Sequence, residues 1–220
     1  YKEHIGRDLD RPIIVGCAVT PANRPEAEGA EPIGVDIAKQ GLSIAELHID
    51  RAYVNSPLVR EVACRGGKIF AKPWGRRAGD KEMYTKHDFK IDLRAKTITC
   101  PAGEVESFDP GTTVEFDPDA CSRCSLRSLC TRAASGRGRT VSISEDEALQ
   151  KRYRHLQQTR TGRKALRERC KVEHALAHIS ARKGGVARYI GIRKNVFDLR
   201  RSAAIQNLEA AYRLELPEAA

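Results

Sequence analysis

Two acidic residues far apart in the chain have the setting of metal ligands in an enzyme. Asp50 ends the run ELHID, which alternates polar and apolar residues, and Glu173 lies in the basic run RCKVEH. Mg²⁺ prefers oxygen ligands, so carboxylates delivered by two separate elements can hold such an ion. In a strongly basic chain, this pair of acids indicates a metal-dependent enzyme that acts on a nucleic acid.

The predicted helix around Glu173 leaves two interpretations of this residue open. Residues at three- and four-residue spacing predict a packed stripe on or beside which Glu173 lies. The stripe consists of Leu166, Arg169, Cys170, Glu173, Leu176, Ala177 and Ser180. A carboxylate buried there needs a compensating cation, because its desolvation costs several kcal/mol. That cation is either a metal ion or Arg169, which stands four residues earlier and can form a structural ion pair.

Four of the seven cysteines are candidates for a second metal site. Their spacing is Cys100-x20-Cys121-x2-Cys124-x5-Cys130. One Cys-x2-Cys pair with two further thiolates suits tetrahedral Zn²⁺, with an iron–sulfur cluster as a second possibility. The alternative is a set of small buried thiols in a compact insert. The remaining cysteines, which lie in strand or helix patterns and are predicted to be core residues, are Cys17, Cys64 and Cys170.

The positive charge of the chain is concentrated in one stretch. The net charge is +10, and residues 151–201 contain 16 Lys or Arg against three acids. Such density favours a polyanion, since phosphate binding releases counterions, although a solvated helical face is the plainer alternative. Aromatic residues make up only 5% of the chain, which argues against a stacking platform for single strands. The expected partner is therefore double-stranded DNA, and no apolar run is long enough for a membrane span.

The elements that must position the acids follow from the hydrophobic pattern. Residues 1–7 and 13–20 predict a hairpin, 25–40 a helix, 45–50 the strand that ends in Asp50, and 68–72 a further strand. Asn55-Ser56-Pro57 predicts a helix start and Gly66-Gly67 its end. This order predicts an α/β sheet with packed helices.

The chain divides into three predicted parts. Residues 1–74 are the first part of the catalytic domain, 75–140 a small Cys-rich insert, and 141–220 the helical C-terminal part. Ser144 opens a helix through a capping box, Thr161-Gly162 interrupts it, and Asn195 caps the last helix. The inward-facing residues predicted for that last helix are Val196, Leu199, Ala203 and Leu208.

These motifs together resemble the C-terminal part of a bacterial insertion-sequence transposase of the DDE class. Arg169 and Glu173 fit the Arg-x3-Glu core of the family's Tyr-x2-Arg-x3-Glu-x6-Lys signature, and Asp50-Arg51-Ala52-Tyr53 resembles its Asp-Arg-Gly-Tyr step. The cysteine segment resembles an insert found in some members. The chain departs from the signature at Leu166 and Ser180, where the family has Tyr and Lys, and at Ala52, where it has Gly.

The resemblance implies a ribonuclease-H-like fold in which Asp50 and Glu173 converge on Mg²⁺ or Mn²⁺. It implies that the first catalytic Asp lies on a strand upstream of Tyr1, so that this chain is a fragment of the catalytic domain. The protein would act on transposon ends and target DNA as a homodimer in the bacterial cytoplasm, associated with the nucleoid. Candidate DNA contacts are Arg51, Tyr53, Arg163, Lys164, Arg169, Lys171, Arg188, Arg193 and Lys194.

Two other functions stay open from the sequence. One is an inactive transposase remnant that binds DNA or a partner without chemistry. The other is a zinc-bearing DNA-binding protein of unrelated fold, which requires the strand of Asp50 and the helix of Glu173 to lie far apart.

Overall fold

The predicted hairpin is the first element of the computed structural model, which describes residues 1–74 and 83–215. Strand β1, Lys2–Arg7, pairs antiparallel with β2, Ile14–Thr20, and the register shifts by a bulge at the end of β1. In the turn between them, the Asp8 carboxylate accepts hydrogen bonds from two main-chain N–H groups. The expected boundary of the insert at residue 75, and the expected C-terminal residues 216–220, lie outside the described residues.

The other helices and strands of the described residues follow in chain order. Their bounds are α1 Ala30–Lys39, β3 Glu46–His48, α2 Pro57–Cys64, β4 Lys68–Phe70, β5 Lys90–Asp92, β6 Thr97–Thr99, β7 Val105–Ser107, β8 Thr113–Glu115, α3 Pro118–Arg123, α4 Arg127–Cys130, β9 Thr140–Ser142, α5 Glu147–Gln158, α6 Arg160–Arg167, α7 Cys170–Lys183 and α8 Ile192–Glu215. They form two compact units: the larger unit, 1–72 with 155–220, and the smaller unit, 73–154.

The larger unit has the mixed α/β character that the sequence predicts. Its strands form an antiparallel pair, β1–β2, and a parallel pair, β3–β4, as separate sheets rather than one continuous sheet. Helix α2 joins β3 to β4 and begins directly after Ser56, with Pro57 in its first turn. Pro at this position loses no hydrogen bond, which explains why the predicted helix start is found here.

The core of the larger unit lies between the hairpin and the C-terminal helices. Its buried residues are Ile5, Ile14, Cys17, Val19, Ala175, Ile179, Leu199 and Ala203. Leu199 and Ala203 face inward as predicted, and Val196 packs beside them. The prediction for Leu208 was wrong, because this side chain is 72% exposed.

Helix α7 packs through a different stripe from the one predicted. Its buried residues are Ala175, Ile179 and Lys183, whereas Glu173 is exposed. The prediction that Glu173 lies on or beside the packed stripe was therefore wrong, since α7 directs Ala175 and Ile179 toward the core. Cys170 is also exposed, as is Cys64 on α2, so the core assignment holds for Cys17 alone.

Lys183 is buried because acids from two other elements neutralise it. Its side chain is 4% exposed and pairs with Glu3 on β1 and, at 3.1 Å, with Asp198 on α8. Burial alone would lower the pKa of Lys183, but the two carboxylates outweigh it and hold the pKa above its usual value. The cation thus ties α7 to both neighbouring elements.

The hairpin's second strand is also bonded by helix side chains. The Asn207 amide on α8 accepts a hydrogen bond from the Ile14 N–H at 2.8 Å and donates to the Ile14 carbonyl at 2.9 Å. Asp36 accepts from the Cys17 N–H, and Gln40 donates to the Val15 carbonyl. Side chains of α1, of its C-cap Gln40 and of α8 therefore satisfy main-chain groups along β2.

The break after α5 and the start of α8 differ from the prediction. Thr159, not Thr161-Gly162, marks the break after α5, and its hydroxyl accepts from the Gly162 N–H as the cap of α6. Asn195 lies inside α8 rather than at its cap, and its amide donates to the carbonyls of Tyr189 and Gly191.

The smaller unit has a β core of its own. Short strands form a three-stranded sheet, β5–β6–β7, and the pair β8–β9. The buried residues of this core are Phe89, Ile98, Phe108, Val114, Phe116, Val141 and Ile143. Glu147, which opens α5, is also buried, and its ion pairs with Lys86 and Arg154 outweigh burial and hold the pKa of this carboxyl below its usual value.

Candidate active site

Asp50 follows β3, and a hydrogen bond to the next turn holds its carboxylate. It precedes the 3₁₀ turn Arg51–Tyr53, and its Oδ1 accepts a hydrogen bond from the Ala52 N–H at 3.3 Å. The strand end is fixed by His48, whose ring stacks on Phe70 with centroids 4.4 Å apart. The predicted strand 45–50 is shorter in the structure, Glu46–His48, so Asp50 lies two residues beyond the strand rather than at its last position.

Glu173 lies in the first turn of α7, where Arg169 precedes the helix. The Glu173 side chain is 53% exposed, and Arg169 Nη1 lies 2.7 Å from its Oε1. This is the ion pair that the four-residue spacing allows. The first turn of a helix also favours a carboxylate through the helix dipole.

Arg169 brings the two acids together. The same Nη1 atom that bonds Glu173 lies 2.8 Å from Asp50 Oδ2. The two carboxylate oxygens are therefore at most about 5.5 Å apart, a span that one divalent ion or a close pair of ions can bridge. The two interpretations of Glu173 are thus combined in one cluster, since its ion-pair partner also holds Asp50.

Contacts with β1 and β3 hold the helices that carry this cluster. Arg7 on β1 donates to the Lys171 carbonyl at the start of α7. His48 Nδ1 lies 3.1 Å from the Ala165 carbonyl on α6. Both elements that deliver an acid are therefore fixed within the larger unit.

The candidate DNA contacts separate into two groups by exposure. Arg169 and Tyr53 are half-buried and already bonded, Tyr53 through its hydroxyl to His4. The exposed cations are Arg51, Arg163, Lys164, Lys171, Arg188, Arg193 and Lys194. Lys171 pairs with Glu168, and Arg163 donates to the carbonyls that end α5.

Sequence reasoning missed His4, which is 3% exposed on β1. The run KEHIGR gives no alternating signal for it, because His4 and Ile5 are adjacent in the chain and both are buried, and a polar residue there did not suggest a buried role. The lysine of the family signature is absent, because Ser180 stands at its position, and both nearby cations are already paired. Lys183 is buried in its ion pairs, and Arg182 pairs with Glu209.

The four cysteines of the predicted zinc site line one open cavity of about 360 Å³ in the smaller unit. Cys121 and Cys124 flank the end of α3, Cys100 follows β6, and Cys130 ends α4. Burial raises the pKa of the Cys130 thiol, and the other three thiols raise it further. Within 1–74 and 83–215, no group of three or more His, Cys, Asp or Glu side chains is arranged to hold a metal ion.

Comparison with known proteins identifies a family. A family model described as a transposase DDE domain matches residues 99–211, just over half of the chain. The matched part contains Glu173 and the four cysteines that line the cavity, while Asp50 lies before it. Searches of curated proteins and of solved structures found no match. No helix in the described part of the chain has the length and apolar character to cross a membrane.

Proposed function

Because the chain belongs to the transposase DDE domain family, we propose that Asp50 and Glu173 are two of its catalytic acids and that it cleaves and joins DNA strands. The observation that carries the proposal is the shared contact of both carboxylates with Arg169 Nη1. Asp50 lies 119 positions before Arg169 in the chain and Glu173 lies four positions after it, yet both carboxylates meet at this one atom.

The donor set suits Mg²⁺ or Mn²⁺, since both acids offer carboxylate oxygens. A divalent cation, when bound, activates a water or a 3′-hydroxyl and stabilises the leaving oxyanion. Asp50 and Glu173 would hold the cation, and Arg169 would then be free to orient Glu173 or a DNA phosphate. The third acid of the family would come from a strand upstream of Tyr1.

The reaction that we propose has two stages on double-stranded DNA. The protein nicks the transposon ends by hydrolysis, and the freed 3′-hydroxyl then attacks the target strand. The exposed cations at Arg163, Lys164, Arg188, Arg193 and Lys194 would bind the phosphate backbone, which fixes register without reading bases.

We propose the setting of this activity as well. The larger unit would be the ribonuclease-H-like domain, and the smaller unit would contain the Cys-rich insert. The full-length protein would work as a homodimer in the bacterial cytoplasm, associated with the nucleoid.

Plasmid nicking by the full-length protein in Mg²⁺ tests the proposal. Asp50→Asn and Glu173→Gln should abolish cleavage while DNA binding is retained. Glu31→Gln, which removes an exposed acid in the first turn of α1, should cleave normally. Normal nicking by either site variant removes that residue from the active site. DNA binding without cleavage by the wild type would instead identify an inactive DNA-binding module.

The cysteine cavity supports a separate proposal of a structural Zn²⁺ held by Cys100, Cys121, Cys124 and Cys130. Four cysteines from three segments line one cavity, and their side chains would have to move to reach tetrahedral ligation, since the described residues form no such cluster. The purified protein should contain about one zinc per chain. Cys121→Ser should lose it, whereas Cys64→Ser, an exposed cysteine of the larger unit, should retain it. Wild-type protein with neither zinc nor iron would refute this site.

A further inference from the structure

A buried histidine connects the hairpin to the turn that follows Asp50. The Nδ1 atom of His4 lies 2.5 Å from the Tyr53 hydroxyl, and its Nε2 atom lies 2.8 Å from the Thr20 hydroxyl. Gly29 packs so closely on the ring that a Cβ there would lie 2.6 Å from ring carbons. Burial lowers the pKa of His4 and raises that of Tyr53, so a neutral imidazole meets a neutral phenol.

The Tyr53 end of this contact belongs to the same short turn as Asp50. Tyr53 donates its main-chain N–H to the Asp50 carbonyl at 3.1 Å, and the Ala52 N–H donates to the Asp50 carboxylate. A turn of three residues has few contacts of its own, so an anchor at its last residue restricts the direction of the first. The hydroxyl of Tyr53 is that anchor.

We propose that His4 and Tyr53 are positioning residues, which hold the 51–53 turn against β1 so that the Asp50 carboxylate faces Arg169 and Glu173. This inference rests on the proposed function, because positioning matters only if Asp50 acts in the reaction. It assigns Tyr53 an inward role, in place of the DNA contact that its type and location predicted.

Two substitutions of His4 separate the two ends of the contact. Asparagine places its amide close to the position of Nδ1 and can still meet Tyr53, whereas glutamine places its amide close to Nε2 and can meet only Thr20. His4→Gln and Tyr53→Phe should each slow cleavage at saturating DNA about five- to tenfold, the value of one net hydrogen bond. His4→Asn should stay within about threefold of the wild type, and all three should bind DNA with unchanged affinity.

Amide exchange of residues 50–54 provides a readout that does not depend on activity. Tyr53→Phe and His4→Gln should speed exchange of the Ala52 and Tyr53 amides about five- to tenfold, since both amides bond to Asp50. The double variant should behave like either single variant, because both remove the same contact. Tyr153→Phe is the matched control: it removes a buried hydroxyl that has no hydrogen-bond partner among the described residues.

The outcomes distinguish this inference from the proposed function. Wild-type protein that never cleaves DNA refutes the function, and amide exchange alone then decides whether His4 and Tyr53 fix the turn. Wild-type exchange in Tyr53→Phe overturns the inference. Equal losses in His4→Asn and His4→Gln also overturn it, because they would indicate a general packing role for the ring.

Discussion

Replacing Arg169 with glutamine should tighten the binding of divalent cations to the protein without DNA, while it slows cleavage. Nη1 of Arg169 lies 2.8 Å from Asp50 and 2.7 Å from Glu173. A metal ion that takes both carboxylates must therefore displace this guanidinium. The same substitution removes the group that holds the acids together, which is why the rate of cleavage should fall.

The size of the effect follows from the exposure of the two acids. The side chains of Asp50 and Glu173 are 41% and 53% exposed, so solvent screens both ion pairs. Exposed pairs contribute about 0.2–1 kcal/mol each, and displacement of both therefore costs a cation about 0.4–2 kcal/mol. At about 1.4 kcal/mol per factor of ten, Arg169→Gln should bind Mn²⁺ about two- to thirtyfold more tightly.

Titration with Mn²⁺, followed by electron paramagnetic resonance or calorimetry, measures this change. Arg167→Gln is the matched control, because it removes the same charge from an exposed residue two positions earlier. The reasoning is refuted if Arg169→Gln binds Mn²⁺ no more tightly than Arg167→Gln. A nicking assay on both variants then shows whether the cleavage rate falls only at Arg169.

Three further predictions concern stability. Lys183→Met should lower the free energy of unfolding by about 1–3 kcal/mol, because the buried Asp198 carboxylate loses one of its two cations and keeps only Arg201; urea denaturation measures this, and a loss below about 0.5 kcal/mol would contradict it. The pKa of Glu147 is lowered in the folded state, so its ionised carboxyl stabilises the folded state at pH values above the ordinary carboxyl pKa of about 4.3. This stability is lost as the pH falls through the lowered pKa of Glu147. Fluorescence of the single tryptophan should therefore show a flatter pH dependence of unfolding between neutral and acidic pH for Glu147→Gln, and parallel curves would contradict this. Gly162→Ala should cost about 1–3 kcal/mol in thermal unfolding, because the new Cβ would lie 2.2 Å from a carbonyl oxygen, and an unchanged midpoint would refute that contact.

The sequence was informative where local chemistry decides the structure. The apolar run between two prolines predicts β2, and Pro57 with Gly66-Gly67 predicts the limits of α2. The alternation before Asp50 predicts the strand that precedes this acid, and the four-residue spacing to Arg169 predicts the ion pair of Glu173. These features depend on neighbours in the chain, which a pattern can represent.

It failed where distant residues decide the structure. The packed stripe of α7 includes Lys183, and only the folded chain brings Glu3 and Asp198 to neutralise it. The predicted stripe ends at Ser180 and includes Glu173, whereas the buried stripe extends to Lys183 and leaves Glu173 exposed. Long-range contact explains His4 in the same way, since its partners are 16 and 49 residues away.

The core of the smaller unit was missed for a different reason. Its strands are only three residues long in the structure, so each contributes a single inward side chain, such as Ile98, Val114 or Val141. With one inward residue in each strand, the sequence contains no hydrophobic alternation that could be detected. The core is assembled from many such single residues, and the sequence alone suggested an irregular insert.

The side chains that bond β2 determine at which edge of the hairpin another strand can be added. An open strand edge is a template for another strand, including one from a neighbouring molecule. Asn207 imitates a peptide group against Ile14, and Asp36 and Gln40 occupy the next main-chain positions, so that edge is closed to strand addition. Any extension of the sheet must therefore join along β1, the strand that also contains His4.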